Sequence, residues 1–248
     1  MLKGYKTEIN PTPEQKTKIN KTIGTCRYMY NFYIAHNKEL YYKGIGIDLG
    51  IKDLSVVSDG TKYKNINKSY KVKRLEKQLK RQQRSLSRKY ENLKKLKKGE
   101  ATQKANIRKQ MLKVQRLYHR IDNIRTDYIN KTILEIVKTK PSYITIEDLN
   151  VKGMMKNRYL SKAIQQQCFG EFRRQIEYKS KWNNTKVIIA DRFFPSSRLC
   201  SCCNKIKKDL NLSDRIYRCE CGNVIDRDYQ AALNLKQYGE NVLKQSVV

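Results

Sequence analysis

Gly44-Ile45-Gly46-Ile47-Asp48-Leu49-Gly50 is the stretch on which the fold reading turns. Side chains alternate across a strand, so Ile45, Ile47 and Leu49 share one face while Asp48 shares the other with Gly46 and Gly50. A lone carboxylate flanked by glycines leaves room beside it for something bulky. Ile51 to Ser58, an Asp59-Gly60 turn and Thr61 to Asn65 follow, and they predict an antiparallel meander of about three strands.

Downstream, Tyr143 to Glu147 reads as a buried strand, Phe169 to Trp182 as a helix with Phe169, Phe172 and Ile176 inward, and Lys186 to Ala190 as another strand. Strand, helix, strand predicts a right-handed parallel crossover. A last helix is expected from about Asp228 to Tyr238, stopped by Gly239. The sum is an α/β layered domain. Upstream, Leu2 to Asn10 reads as a strand. Thr12-Pro13-Glu14-Gln15 then opens a helix running to about Tyr41, with Thr12 as N-cap and Gln15 closing a capping box. Its stripe of Ile19, Ile23, Cys26, Tyr30 and Ile34 is expected to be core packing.

Between the meander and the crossover, residues 69–140 change to helical periodicity. Leu75, Leu79, Leu86, Tyr90 and Leu93 mark one helix. Ile107, Met111, Val114, Tyr118, Ile121, Ile124 and Tyr128 mark a second after a break at Lys98-Gly99, so an antiparallel helical pair is expected. From Lys71 to Arg120 it carries 19 Lys and Arg against 3 Glu. Its lysines have few acids at i,i+4 to pair with, which points to a surface that tracks phosphates.

The whole chain repeats that imbalance: 54 Lys and Arg against 23 Asp and Glu in 248 residues, a net charge of +31. Such a surplus repels itself unless an anionic polymer neutralises it, and nucleic acid is the expected partner. No apolar run is long enough for a spanning helix and the start lacks the apolar core of a signal peptide, so a cytoplasmic protein without membrane attachment is expected.

Three carboxylates stand in apolar frames. Asp48 lies within its strand, Glu147 ends the Tyr143 strand, and Asp228 opens a helix whose Ala231 and Ala232 permit close packing on a sheet. Each alone has an ordinary use as a turn residue, an ion-pair partner or a helix N-cap. Together, at strand and helix ends of one α/β unit, they suggest hard oxygen ligands for two Mg2+ or Mn2+ ions and metal-dependent cleavage of nucleic acid. Five of the seven cysteines crowd between Cys200 and Cys221. Cys200 and Cys203, then Cys219 and Cys221 with Gly222 after them, read as two knuckles of a structural four-thiolate zinc site, with Cys202 as a spare or alternative ligand. Cys26 and Cys168 are expected to be inert core residues.

Several stretches resemble a known family. GIDLGIKDLSV (46–56), QRSLSRKY (83–90), ITIEDLNVKGM (144–154), FGEFRRQIEYKSKW (169–182), DRFFPSSRLCSCC (191–203) and CGNVIDRDYQAALNL (221–235) are similar, in order, to transposon-encoded TnpB proteins, relatives of type V CRISPR effectors. The resemblance implies an RNase H-like, RuvC-like mixed sheet with an inserted basic helical hairpin and a zinc ribbon. It implies Asp48, Glu147 and Asp228 as the metal-binding acids, with Asp226 of the DRD motif as rival for the third, and Cys200, Cys203, Cys219 and Cys221 as the zinc ligands. The activity implied is RNA-guided DNA cleavage, with guide RNA and DNA as partners. The implied organisation is an N-terminal strand and helix over 1–42, a nuclease core over 43–199 carrying the helical insertion, a zinc ribbon over 200–222, and the rest of the core with a tail over 223–248. The family usually places a wedge barrel and a recognition bundle before its first nuclease strand, and residues 1–42 resemble only the opening of that module. A second expectation is therefore a shortened protein that binds DNA or RNA without cutting. Smaller departures are Gln230, where the family commonly has Asn, and the shortened second knuckle.

Overall fold

The computed structural model describes residues 10–36, 43–95, 100–207, 209–211 and 214–245. The chain divides into two compact units, Met1–Lys43 and Gly44–Val248. Among its described residues the first unit is one helix, α1 (Pro13–His36). Its start is the expected capping box: the Thr12 amide donates to Gln15 Oε1 at 2.9 Å and the Gln15 amide to Thr12 Oγ1 at 3.4 Å. The strand expected from Leu2, up to residue 9, and the helix beyond residue 36 lie outside the described residues. Core packing of the helix stripe is not what the structure shows, because Ile19, Ile23, Cys26 and Tyr30 are exposed.

The second unit is built on a five-stranded mixed sheet. The meander supplies β1 (Gly44–Leu49), β2 (Asp53–Val57) and β3 (Lys62–Lys64). The crossover supplies β4 (Tyr143–Glu147) and β5 (Lys186–Ala190). The order is β3-β2-β1-β4-β5. β1 runs antiparallel to β2 and parallel to β4, and β4 runs parallel to β5.

The inserted segment forms two antiparallel helices, α2 (Tyr70–Lys95) and α3 (Glu100–Lys138). They close over Val72, Leu75, Leu79, Val114 and Ile121, with Gln110 Nε2 donating to Gln82 Oε1 at 2.7 Å. The last turns of α3 do a second job absent from the sequence reading. Ile129, Ile133, Ile136 and Val137 pack on Ile45, Ile47, Ile144 and Ile146 of the sheet. Short helices α4 (Val151–Met154) and α5 (Ser161–Gln167) lead into α6 (Phe169–Trp182), whose Phe169, Phe172 and Ile176 complete this core. Cys168, expected in the core, is half-buried at the junction of α5 and α6, where its φ of 51° breaks the helix.

The other sheet face is covered by α7 (Arg227–Gln245). Gly239 does not stop this helix, contrary to expectation. Its missing Cβ is a packing device, since a methyl there would collide with Thr145 and with the Tyr143 ring on β4. A glycine needed for close approach can sit in a helix when the contact it permits outweighs its poor propensity. Between β5 and α7 the chain forms a cysteine-bearing module whose hairpin is β6 (Ile216–Arg218) paired antiparallel with β7 (Val224–Asp226). No helix among the described residues is long and apolar enough to cross a membrane.

Candidate active site and cysteine cluster

Asp48 and Glu147 emerge from the face that α7 covers, at the carboxyl ends of neighbouring parallel strands. The register Ile47↔Ile146 carries them to adjacent positions one residue on. Strand spacing then holds their backbones about 5 Å apart. Asp228 arrives from the first turn of α7. That helix is seated by its small residues: Ala231 and Ala232 are buried, and the Ala232 backbone occupies the space left by Gly46. The bulky group for which the glycine makes room is thus α7 itself.

Asp48, Glu147 and Asp228 line one cleft of about 970 Å3, together with Lys52, Lys68, Asp191, Arg192, Phe193, Arg198, Arg215 and Arg227. Burial and the negative charges of Glu147 and Asp228 push the Asp48 pKa well above the ordinary carboxylate range. Burial also raises Glu147, against the lowering effect of the hydrogen bond that Ser196 Oγ donates to its Oε1. The Asp228 carboxylate makes long contacts with Arg215 and Arg227, at 3.8 and 3.9 Å. Asp226 is differently employed. Its Oδ1 accepts the amides of Asp228 and Tyr229, and its Oδ2 pairs with Lys62 at 2.9 Å, so Asp226 rather than Asp228 is the helix N-cap. Burial works against the charged form of Asp226, but Lys62 and the helix amides outweigh it and hold its pKa low. Asp148 is likewise committed, to Arg192 at 2.5 Å and Arg173 at 3.0 Å.

Three carboxylates with raised or loosely paired charge facing one cleft form a hard-oxygen donor set, which suits Mg2+ or Mn2+. They are not drawn into a single-ion shell: among the described residues only the cysteine set brings three or more ligand atoms within 4.8 Å of one another. Divalent ions held by this set would be shared among the acids and not enclosed by all three at once.

The cysteine set is Cys200, Cys203, Cys219 and Cys221. Cys200 Sγ lies 3.6 Å from Cys221 Sγ, and Cys203 Sγ 3.6 Å from Cys219 Sγ. Cys202 is exposed and outside the set. The first knuckle turns through Asn204 at φ 57°, and the second through Gly222 at φ 89°, where the Gly222 amide donates to the Cys219 carbonyl at 3.0 Å. Burial works in the opposite direction, but the Cys203 and Cys202 amides and Asn223 pull Cys200 down to about 6. Cys221 is lowered by the Asn223 amide, but the neighbouring thiols outweigh this and push it up to about 12. Four thiols meeting at one point form a donor set suited to tetrahedral zinc.

Sequence reasoning missed the residues that join these two centres. Gln230 and Asn234 are fully buried on α7. Gln230 Nε2 donates to the Leu199 carbonyl at 2.6 Å, and Asn234 Nδ2 to the carbonyls of Ser196 and Leu199 at 2.6 and 2.7 Å. Ser196 in turn holds Glu147. The available signal was the pair of amides one helical turn apart on a face that also carries Ala231 and Leu235.

Comparison with known proteins gives this geometry its family. A profile described as a probable transposase, OrfB of the IS605 type, matches residues 10–158, more than half of the chain. The chain belongs to that family. A second profile, the Cas12f1-like TNB domain, matches residues 169–235 of this OrfB-type chain. A protein of Streptomyces pristinaespiralis named "Putative RNA-guided DNA endonuclease" is 35% identical over 79% of the chain and 45% of its own length. "Putative RNA-guided DNA endonuclease InsQ" of Escherichia coli K12 is 33% identical over 80% of the chain and 50% of its own length. The chain therefore spans about half the length of the curated relatives it matches. In fold it is similar to a cryo-EM structure of a Cas12f1–sgRNA–target DNA complex, with a TM-score of 0.52 at 20% identity over 77% of this chain and 49% of that one. It is also similar to a CRISPR-Cas12f ternary complex, with a TM-score of 0.54 at 20% identity over 77% of this chain and 38% of that one.

Proposed function

We propose that this OrfB-type chain is a RuvC-like, metal-dependent DNA endonuclease that works with a guide RNA. The observation that carries the reading is the cleft itself: Asp48 and Glu147 side by side at parallel strand ends, with Asp228 presented by the helix packed over them. The relatives named as RNA-guided DNA endonucleases supply the substrate and the partner.

Asp48, Glu147 and Asp228 would hold two Mg2+ or Mn2+ ions, which when bound activate the attacking water and stabilise the leaving oxygen of a phosphodiester. Ser196 fixes the Glu147 carboxylate, and Asp226 fixes the first turn of α7 and with it Asp228. Lys52, Lys68, Arg198 and Arg215 on the cleft wall attract and orient the phosphate backbone. The exposed lysines and arginines of the α2–α3 pair extend that surface to guide RNA and target strands. Zinc held by Cys200, Cys203, Cys219 and Cys221 is structural, because four thiolates leave no open position.

Replacing Asp48 with Ala should abolish magnesium-dependent cleavage and leave nucleic-acid binding almost unchanged; retained cleavage refutes the assignment. The second reading, a protein that binds DNA or RNA without cutting, needs only the net charge of +31 and the basic helical pair. Its signature is steep loss of binding with salt and no cleavage in magnesium or manganese. Sequencing RNA that copurifies with the protein, expressed beside its flanking DNA, tests guidance: one defined RNA supports it, and random RNA opposes it.

A further inference from the structure

Phe193 is the most exposed large hydrophobic residue among those described, at 88%, and it lines the cleft that holds Asp48, Glu147 and Asp228. A single exposed apolar side chain is ordinary on a protein surface. Two features set this one apart. The first is its setting: it lines the acidic cleft beside Lys52, Lys68, Arg192, Arg198 and Arg215, cations that can hold a phosphate backbone next to the ring. The second is the way it is held. The Phe193 amide donates to Asp191 Oδ1 at 2.8 Å, and the Phe194 amide to the Asp191 carbonyl at 3.0 Å. The Phe194 ring is pinned on Tyr238, with centroids 4.8 Å apart. Tyr238 also accepts the Asp191 amide, at 3.4 Å. The turn is thus fixed by Asp191 and Phe194, on either side of Phe193, while the Phe193 ring itself stays exposed. The comparably exposed Tyr159 and Trp182 lie against Arg158 and Tyr178 and do not line the cleft.

Phosphate-binding cations beside an aromatic face are the elements of a single-strand binding groove: the cations follow the backbone and the ring stacks on a base. A paired base inside a duplex has both faces covered by its neighbours, so only an unpaired base can offer one to the ring. We infer that Phe193 is a stacking platform for an unpaired DNA base beside the phosphate at the acidic centre. This rests on the nuclease reading of the cleft for the identity of the ligand, although stacking itself needs no chemistry at the acids.

The test is binding by the full, zinc-loaded chain in buffer without added magnesium or manganese, so that binding is read apart from metal-dependent cleavage. The probes are short single-stranded oligothymidines, each with one 2-aminopurine at a different position, and a duplex of the same length. In the wild-type protein, 2-aminopurine at one position is quenched by stacking. Phe193→Ala abolishes that quenching and weakens single-strand binding about tenfold, leaves duplex binding unchanged, and Phe193→Trp restores both signals. Unchanged single-strand affinity in Phe193→Ala, or an equal loss for single strand and duplex, overturns the inference. The nuclease reading is scored apart, by cleavage in magnesium: a wild-type chain that quenches 2-aminopurine but never cuts leaves the platform standing and removes the enzyme.

Discussion

Gly46 on β1 lies directly under the backbone of Ala232 on α7, so that a methyl group on Gly46 would overlap the Ala232 carbonyl oxygen and the Lys236 amide nitrogen. Both obstacles are helix backbone, which cannot swing aside as a side chain could. Gly46→Ala must therefore lift α7 off the sheet. Overpacking of this kind costs about 1–3 kcal/mol and sometimes more, read as a lower denaturant midpoint. Because α7 also carries Asp228, magnesium-dependent cleavage should fall further than stability alone explains. Gly60, whose φ is 93° but whose side is open, is the contrast: substitution there strains the turn and leaves the acidic cleft intact.

The acidic cleft gives the metal-free protein a pH dependence of definite sign. Burial, Glu147 and Asp228 raise the folded pKa of Asp48, so between the ordinary carboxylate value and that raised value the folded state binds the proton and the unfolded state does not. The stability tied to the protonated group is fully present below the unfolded pKa and is lost as pH rises through the folded one. In EDTA, the melting temperature of wild type relative to Asp48→Asn should fall as pH rises from mildly acidic to neutral. Parallel curves for the two proteins across that window would show that Asp48 is not the group responsible.

Much of this architecture was legible before any coordinates. Period-two alternation in Gly44–Leu49 and the aromatic and β-branched run at Tyr143–Ile146 identified the two central strands, because such residues fit a buried pleated sheet. That Asp48, Glu147 and Asp228 would face one cleft was legible for the related reason that a carboxylate among such residues needs a partner. What stayed hidden depends on partners distant in sequence. Gly239 reads locally as a helix stop, and only the Tyr143 and Thr145 side chains on β4 show why the helix runs through it. The α1 stripe reads as core, yet its burial depends on a second surface that periodicity cannot supply. Asp226 and Asp228 are two residues apart in one motif, and Lys62, from the far edge of the sheet, separates their roles.

The cysteine assignment separates ligand from bystander. Cys203→Ser removes one of the four converging thiols, whereas Cys202→Ser changes an exposed residue outside the set. Zinc measured after exhaustive dialysis should be one ion per chain in wild type and in Cys202→Ser, and well below that in Cys203→Ser. Because the knuckles have little apolar core of their own, metal binding and local folding are coupled. A chelator should therefore expose the amides of β6 and β7 to hydrogen exchange while those of β1 and β4 stay protected. Full zinc in Cys203→Ser would contradict the ligand set.

Asn234 ties that module to the cleft. Its side-chain amide is fully buried and donates to two carbonyls, of Ser196 and Leu199, on the segment that leads from Glu147's partner to the first knuckle. Asn234→Ala takes from the Ser196 carbonyl the donor it has here and leaves Leu199 with Gln230 alone, in a place water reaches poorly, at a cost of about 1–3 kcal/mol. The loss should be local as well as global: freed of its anchor, Ser196 no longer holds Glu147, so cleavage should drop while binding to duplex DNA, which depends on charge, persists. Asn234→Asp makes the distinction sharper. It keeps the shape but replaces the donor with an acceptor facing two carbonyl oxygens, and it should be worse than Ala in both denaturant midpoint and cleavage. An Asp variant equal to wild type would mean that shape, and not the donated hydrogen bonds, fixes this segment.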